Sequence, residues 1–141
     1  MTSRELASSL RLIISAMHKD LRRRADSINS YSMTELATIG FLSLHESCLT
    51  TELAAMAKVK IQSMSQILKK MENAGIIKRR PSHKDKRKVY ISLTSLGMKT
   101  VEKARYDKDE WLKAQIEQML SGRERLLLEK ALPVLQKLAD N

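Results

Sequence analysis

The sequence predicts a mainly α-helical chain interrupted by one small β-hairpin, and three observations carry that prediction. Apolar residues recur at helical spacing through most of the 141 residues. Glycine and proline, the usual breakers of helices, number only four and two. The period changes to two in a single short stretch, around Ile76 to Leu93. The length suits one domain, which at roughly 150 residues buries about 68–70% of the surface its unfolded chain exposes.

Leu6, Leu10, Ile13, Ile14, Met17 and Leu21 place a first helix from about residue 4 to 24, with Thr2 and Glu5 as a capping box. Asp26 to Tyr31 reads as a loop. Ser32 with Glu35 repeats the box and opens a second helix, whose Leu36, Ile39, Gly40 and Leu44 end near His45. Thr50 is the expected N-cap of a short third helix holding Leu53, Ala54 and Ala57. After the turn Lys58-Val59-Lys60, a fourth helix runs from about Ile61 to Ala74 and stops at Gly75. Ile76 to Arg80 and Val89 to Leu93 are the two strands of the hairpin, and Pro81 to Lys88 form a loop too basic to be buried. A fifth helix from Ser95 to about Leu120 would be ~39 Å long at 1.5 Å per residue. Ser121 with Glu124 caps a sixth helix, apolar at Leu127, Leu128, Ala131, Leu135 and Leu138, which Pro133 should kink or end.

Charge is concentrated. Lys58 to Lys88 hold eleven Lys and Arg against Glu72 and Asp85, whereas the rest of the chain is nearly balanced; the total is +10. Such a block marks a polyanion-binding surface more often than a merely solvated face. Within it, Met64, Ile67, Leu68 and Met71 share one face of the fourth helix, and Gln62, Gln66, Lys69 and Asn73 stand opposite, with Ser63, Ser65 and Lys70 on the flanks. Two short helices across a tight turn followed by a basic hairpin make a winged helix-turn-helix, whose second helix can enter the major groove of DNA. Amides and hydroxyls near its start suit base edges, and lysines suit phosphates. The expected DNA-contacting set is Thr51, Lys60, Gln62, Ser63, Ser65, Gln66, Lys69, Lys70, Lys84, Asp85, Lys86, Arg87 and Lys88.

The hairpin also carries a family resemblance. Asp85-Lys86-Arg87 followed by Val89-Tyr90-Ile91-Ser92-Leu93-Thr94-Ser95-Leu96-Gly97 resembles the wing of the multiple-antibiotic-resistance-regulator (MarR) family, as do Leu53-Ala54, Met71 to Gly75-Ile76 and Arg79. The resemblance implies that Arg87 enters the minor groove at the wing tip and that Asp85 orients it. A narrow minor groove attracts arginine by its negative potential. Lys58 stands where the family often has glycine, and Lys60 where it often has a capping Asp, Ser or Thr. The family fold further implies one domain over 1–141, with a DNA-binding part at 32–94 and helical dimerisation parts at 1–25 and 95–141.

The expected partners are a palindromic double-stranded DNA operator and a second copy of the chain. Helices one, five and six have apolar stripes that fit a dimer interface, although periodicity fits an intramolecular three-helix pack nearly as well. The resemblance implies repression and a small aromatic or anionic effector. Cys48 reads as a buried structural thiol, with a redox-responsive regulator as the alternative. A winged-helix protein-interaction module is a further alternative, disfavoured by the basic block. No cofactor is expected: His18, His45 and His83 lack metal-ligand spacing, and neither a Gly-rich phosphate loop nor a nucleophile with its base is recognisable. RNA binding is disfavoured by 4% aromatic content. Arg11 and the cluster from Lys19 to Arg24 break the only apolar stretch near the N-terminus, so a cytoplasmic protein without a signal peptide or membrane span is expected.

Overall fold

A computed structural model describes residues 1–25 and 30–140; most of the loop expected at Asp26 to Tyr31 therefore lies outside the described residues. Helix α1 (Ser3–Arg24) opens on the expected capping box: Thr2 Oγ1 accepts from Glu5 N–H at 3.2 Å, and Glu5 Oε2 accepts from Thr2 N–H at 2.6 Å. Helix α2 (Met33–Leu44) has only half of its box. Ser32 Oγ accepts from Glu35 N–H at 3.1 Å, but the Glu35 carboxylate turns away to Lys70. Strand β1 (Cys48–Leu49) and helix α3 (Thr50–Ala57) follow. Thr50 is the first helical residue rather than the N-cap. Pairing of β1 holds Leu49 extended, and Glu52 Oε1 accepts its N–H at 2.9 Å.

Helix α4 (Ile61–Asn73) ends in a Schellman motif. Gly75, at φ +79°, donates its N–H to Glu72 O, and Ile76 donates to Met71 O, both at 3.0 Å. Ile76, expected in the hairpin, thus completes the helix end. The sheet has strand β2 (Ile77–Pro81) and strand β3 (Val89–Leu93), in the antiparallel order β1-β3-β2. Arg79 pairs with Ile91, and Cys48 pairs with Ile91 from the other side.

Helix α5 (Ser95–Met119) begins where Thr94 binds three backbone groups. Its Oγ1 donates to Gly75 O at 2.5 Å and accepts from Gly97 N–H at 3.0 Å, while Thr94 N–H donates to Ile76 O at 3.0 Å. Helix α6 (Gly122–Ala139) opens on the Ser121–Glu124 box and runs past Pro133. Proline removes one helical N–H donor, and in this helix that loss does not end it.

The core gathers under α4. Leu53, Met64, Leu68, Met71 and Ile91 are fully buried, joined by Ile39, Leu42, Cys48, Ile76 and Ile77. Val101 brings the first half of α5 against it, and Ala104 packs in a second, small cluster with Ala25. Neither α1 nor α6 buries a residue in the single chain. No helix among the described residues is long and apolar enough to cross a membrane.

Candidate nucleic-acid interface

Burial of Leu53 and Ala54 fixes α3, and Met64, Leu68 and Met71 fix α4, so the turn between them must be tight. Lys58 makes it by adopting the left-handed conformation, φ 55° and ψ 42°, with its N–H directed at the carbonyls of Ala54 and Ala55. Lys60 then caps α4 with its backbone alone. The helix therefore keeps unpaired N–H groups and the positive end of its dipole at the surface, where a phosphate can use them.

The polar side of α4 is open. Gln62, Ser63, Gln66, Lys69 and Lys70 are exposed, Ser65 is half-buried, and Thr51 and Lys60 are exposed nearby. Opposite them, Met64, Leu68 and Met71 are buried and Ile67 is half-buried. Lys70, unlike Lys69, has an ion-pair partner among the described residues, the buried Glu35 carboxylate at 3.0 Å.

The wing tip is an ordered loop. Ser82 Oγ accepts from the N–H groups of Lys84 and Asp85 at 3.2 and 3.3 Å, Ser82 N–H donates to Lys88 O at 2.9 Å, and Lys88 N–H donates to Asp85 O at 3.0 Å. Asp85 is thereby aimed at Arg87. Its Oδ1 accepts from Arg87 Nε at 3.1 Å and from Arg87 N–H at 3.0 Å, and its Oδ2 accepts from Nη2 at 3.4 Å. The Arg87 guanidinium, followed by its backbone N–H, holds the Asp85 carboxyl below the usual aspartate range. The Arg87 side chain is 91% exposed, so a held, charged fork projects into solvent. Lys84, Lys86 and Lys88 are exposed around it.

Sequence reasoning missed Ser82 and Glu35. The first had a local signal, since a serine three residues before Asp85 can order a tight loop. The second had none, because Glu35 and Lys70 meet only through the packing of α2 on α4. Arg79 is likewise tied, through Nε, to Glu72 Oε1 at 3.4 Å, which joins β2 to α4. Cys48 is buried, and burial, with the nearby Glu52 carboxylate adding to it, raises the thiol's pKa. Such a thiol is a poor thiolate source. Among the described residues no group of three or more His, Cys, Asp or Glu could hold a metal ion. An open cleft of about 380 Å³ lies beside the wing, lined by Ser47, Arg80, Pro81, Ser82, His83, Lys84 and Tyr90.

A short helix, a tight turn, a second helix with one polar face and a basic β-hairpin define a winged helix-turn-helix protein. The MarR family model matches residues 31–89. An HTH-type transcriptional regulator of Mycobacterium tuberculosis is 28% identical over 135 residues, 96% of this chain and 93% of that one. The HTH-type transcriptional regulator FarR of Neisseria gonorrhoeae is 37% identical over 89 residues, 63% of this chain and 60% of FarR. In structure, a mutant of Staphylococcus aureus MepR bound to an oligodeoxyribonucleotide superposes with a TM-score of 0.75 at 21% identity, covering 95% of this chain and 97% of MepR. The segment from α2 through β2 is thus similar to the MarR family, and the chain over nearly its whole length is similar to HTH-type transcriptional regulators.

Proposed function

We propose that this chain is a cytoplasmic repressor that reads a palindromic double-stranded DNA operator as a homodimer. Residues 32–94 would form the DNA-binding part, and residues 1–25 and 95–141 the dimerisation part. The carrying observation is the exposed Arg87 fork, held by Asp85, on the same basic segment as the open polar face of α4. In this reading Gln62, Ser63, Ser65 and Gln66 meet base edges, Arg87 enters the minor groove, and Thr51, Lys60, Lys69, Lys84, Lys86 and Lys88 meet phosphates. The oligodeoxyribonucleotide bound to the MepR mutant is consistent with that use of the fold. Effector release is the finest part of the reading. The cleft beside the wing offers Arg80, Lys84 and the Tyr90 ring, which suit an aromatic anion.

Arg87→Ala tests the reading. A good base contact is worth about 1–3 kcal/mol, and loss of a minor-groove arginine contact of similar strength should lower affinity for a preferred duplex roughly 5- to 150-fold. Circular dichroism should not change, because an exposed loop tip carries little stability. An unaltered mobility shift with a normal spectrum would remove Arg87 from the interface.

A further inference from the structure

Met64, Leu68 and Met71 seat α4 on the core, and two of these three are methionines. Apolar contact is non-directional, and methionine adapts to many packings, so this seat resists removal of the helix better than its rotation. Directional ties have to set the rotation. Glu72 with Arg79 ties α4 to β2, but both side chains are partly exposed. Two further contacts reach α2: Thr38 Oγ1 lies 3.9 Å from Met64 Sδ, a long contact whose hydroxyl hydrogen is also directed at Thr34 O at 2.8 Å, and Lys70 Nζ donates to Glu35 Oε1 at 3.0 Å, with the Glu35 side chain only 9% exposed. Glu35 Oε2 is also withdrawn from solvent and has no hydrogen-bond partner among the described residues.

The asymmetry of this pair decides what Lys70 can do. Its ammonium is on the DNA side of the molecule with a side chain 62% exposed, so reach alone would allow a phosphate contact. Leaving Glu35 would strip a buried carboxylate of the one partner it has among the described residues, and an unpaired buried charge is strongly disfavoured. Lys69, one residue earlier, has no ion-pair partner among the described residues and bears no such constraint. We infer that Lys70 is withheld from DNA, and that Glu35 is a positioning residue that sets, through Lys70, which face of α4 enters the groove. This rests on the DNA-binding reading above and divides its lysines into one that grips phosphate and one that orients the helix.

The test uses full-length protein, a duplex selected by that protein from a random pool, and a scrambled duplex of equal composition. Affinities are measured from low to moderate salt for Lys69→Gln, Lys70→Gln, Lys70→Arg and the double variant Glu35→Gln/Lys70→Gln. Losing one phosphate contact lowers the log–log salt slope by about 0.9. Lys69→Gln should show that loss, whereas the double variant should keep the unaltered slope. Lys70→Gln alone should reduce the selected-over-scrambled affinity ratio several-fold, with Lys70→Arg retaining it and the double variant, which also lacks the ion pair, staying reduced. A slope reduced in the double variant as in Lys69→Gln would make Lys70 a phosphate contact and overturn the inference. An unchanged ratio in Lys70→Gln would overturn it too. Failure of the unaltered protein to bind any duplex would instead overturn the DNA-binding reading, and the inference with it. If Lys70→Gln does not fold, the double variant and Lys70→Arg still decide the matter.

Discussion

Lys58 is the only non-glycine residue with positive φ among the described residues, at 55°. For a residue with a Cβ this conformation costs roughly 1–2 kcal/mol. The turn imposes it, because α3 and α4 are both anchored by fully buried side chains and Val59 N–H closes the turn on Ala54 O at 3.0 Å. Glycine would relieve the strain but add about 0.5–1 kcal/mol of unfolded-state freedom. Lys58→Gly should therefore stabilise by up to about 1 kcal/mol, a rise of roughly 2–6 °C in melting temperature. A lower melting temperature would show that the turn is unstrained. The lysine at this position, legible in the sequence as a departure from the family pattern, is thus a site of strain in the structure. Other single residues were legible for the same local reason. Thr2 with Glu5, Ser121 with Glu124, and Gly75 act within a few residues of themselves. Glu35 was not, since its partner is 35 positions away.

At the scale of elements, the joint between α4, the hairpin and α5 depends on a backbone approach that no periodicity reveals. A Cβ placed on Gly97 would lie 2.2 Å from the Ile76 carbonyl oxygen and 3.2 Å from its carbon. Those atoms belong to the backbone that ends α4 and starts the hairpin, so they cannot swing aside as a flexible side chain would. Gly97→Ala should shift α5 or break the Thr94 contacts, at a cost of about 2 kcal/mol or more, since strain at a special backbone site is among the large mutational effects. Urea unfolding gives the check, and a midpoint unchanged by the substitution would contradict the approach. The hairpin strands and the helix order followed from period and turn residues, whereas the two-residue β1 is too short to show a period. The α3 cap did not, because pairing of Leu49 with Tyr90 is a tertiary event that moves the helix start by one residue. The helix starts also carry a pH dependence. The N–H groups of Thr2 and Ser121 hold the Glu5 and Glu124 carboxyls below the ordinary glutamate range, with the Thr2 and Ser121 hydroxyls adding to it. A depressed folded pKa contributes stability above the unfolded value, and the contribution is lost as pH falls through the folded one. Acidification through that window should loosen the first turns of α1 and α6. Carboxyl titration by NMR should give midpoints below 4.5 for both, and values at or above 4.5 would refute the boxes.

For the whole molecule, the unfinished business is apolar surface. Leu12, Ile13 and Ile14 on α1 are more than half exposed, as are Leu126, Leu127, Leu132, Val134 and Leu138 on α6. Helix α1 touches its own chain mainly along α5, where Arg24 lies 5.2 Å from the Trp111 ring centroid, and it buries no residue there. An intramolecular three-helix pack would have buried these stripes, so the single chain does not satisfy the alternative that periodicity left open. So many exposed apolar side chains on two helices support the proposed association with a second copy. A two-fold partner supplying its own α1 and α6 would cover both stripes and set two copies of α4 toward successive major grooves. Burial at about 25 cal/mol per Å² makes several such leucines decisive for association. A chain cut after residue 120 loses all of α6 while keeping the core under α4, to which α6 contributes no buried residue. The truncated protein should retain its helical spectrum, sediment as a monomer or aggregate, and bind one half-site weakly, with a Kd near the 10⁻⁴ to 10⁻⁶ M of non-specific contact. The full chain should sediment as a dimer at micromolar concentration. If it ran there as a monomer and still held a palindrome tightly in that form, the dimer assignment would have to be abandoned, and the leucines of α6 would need another partner.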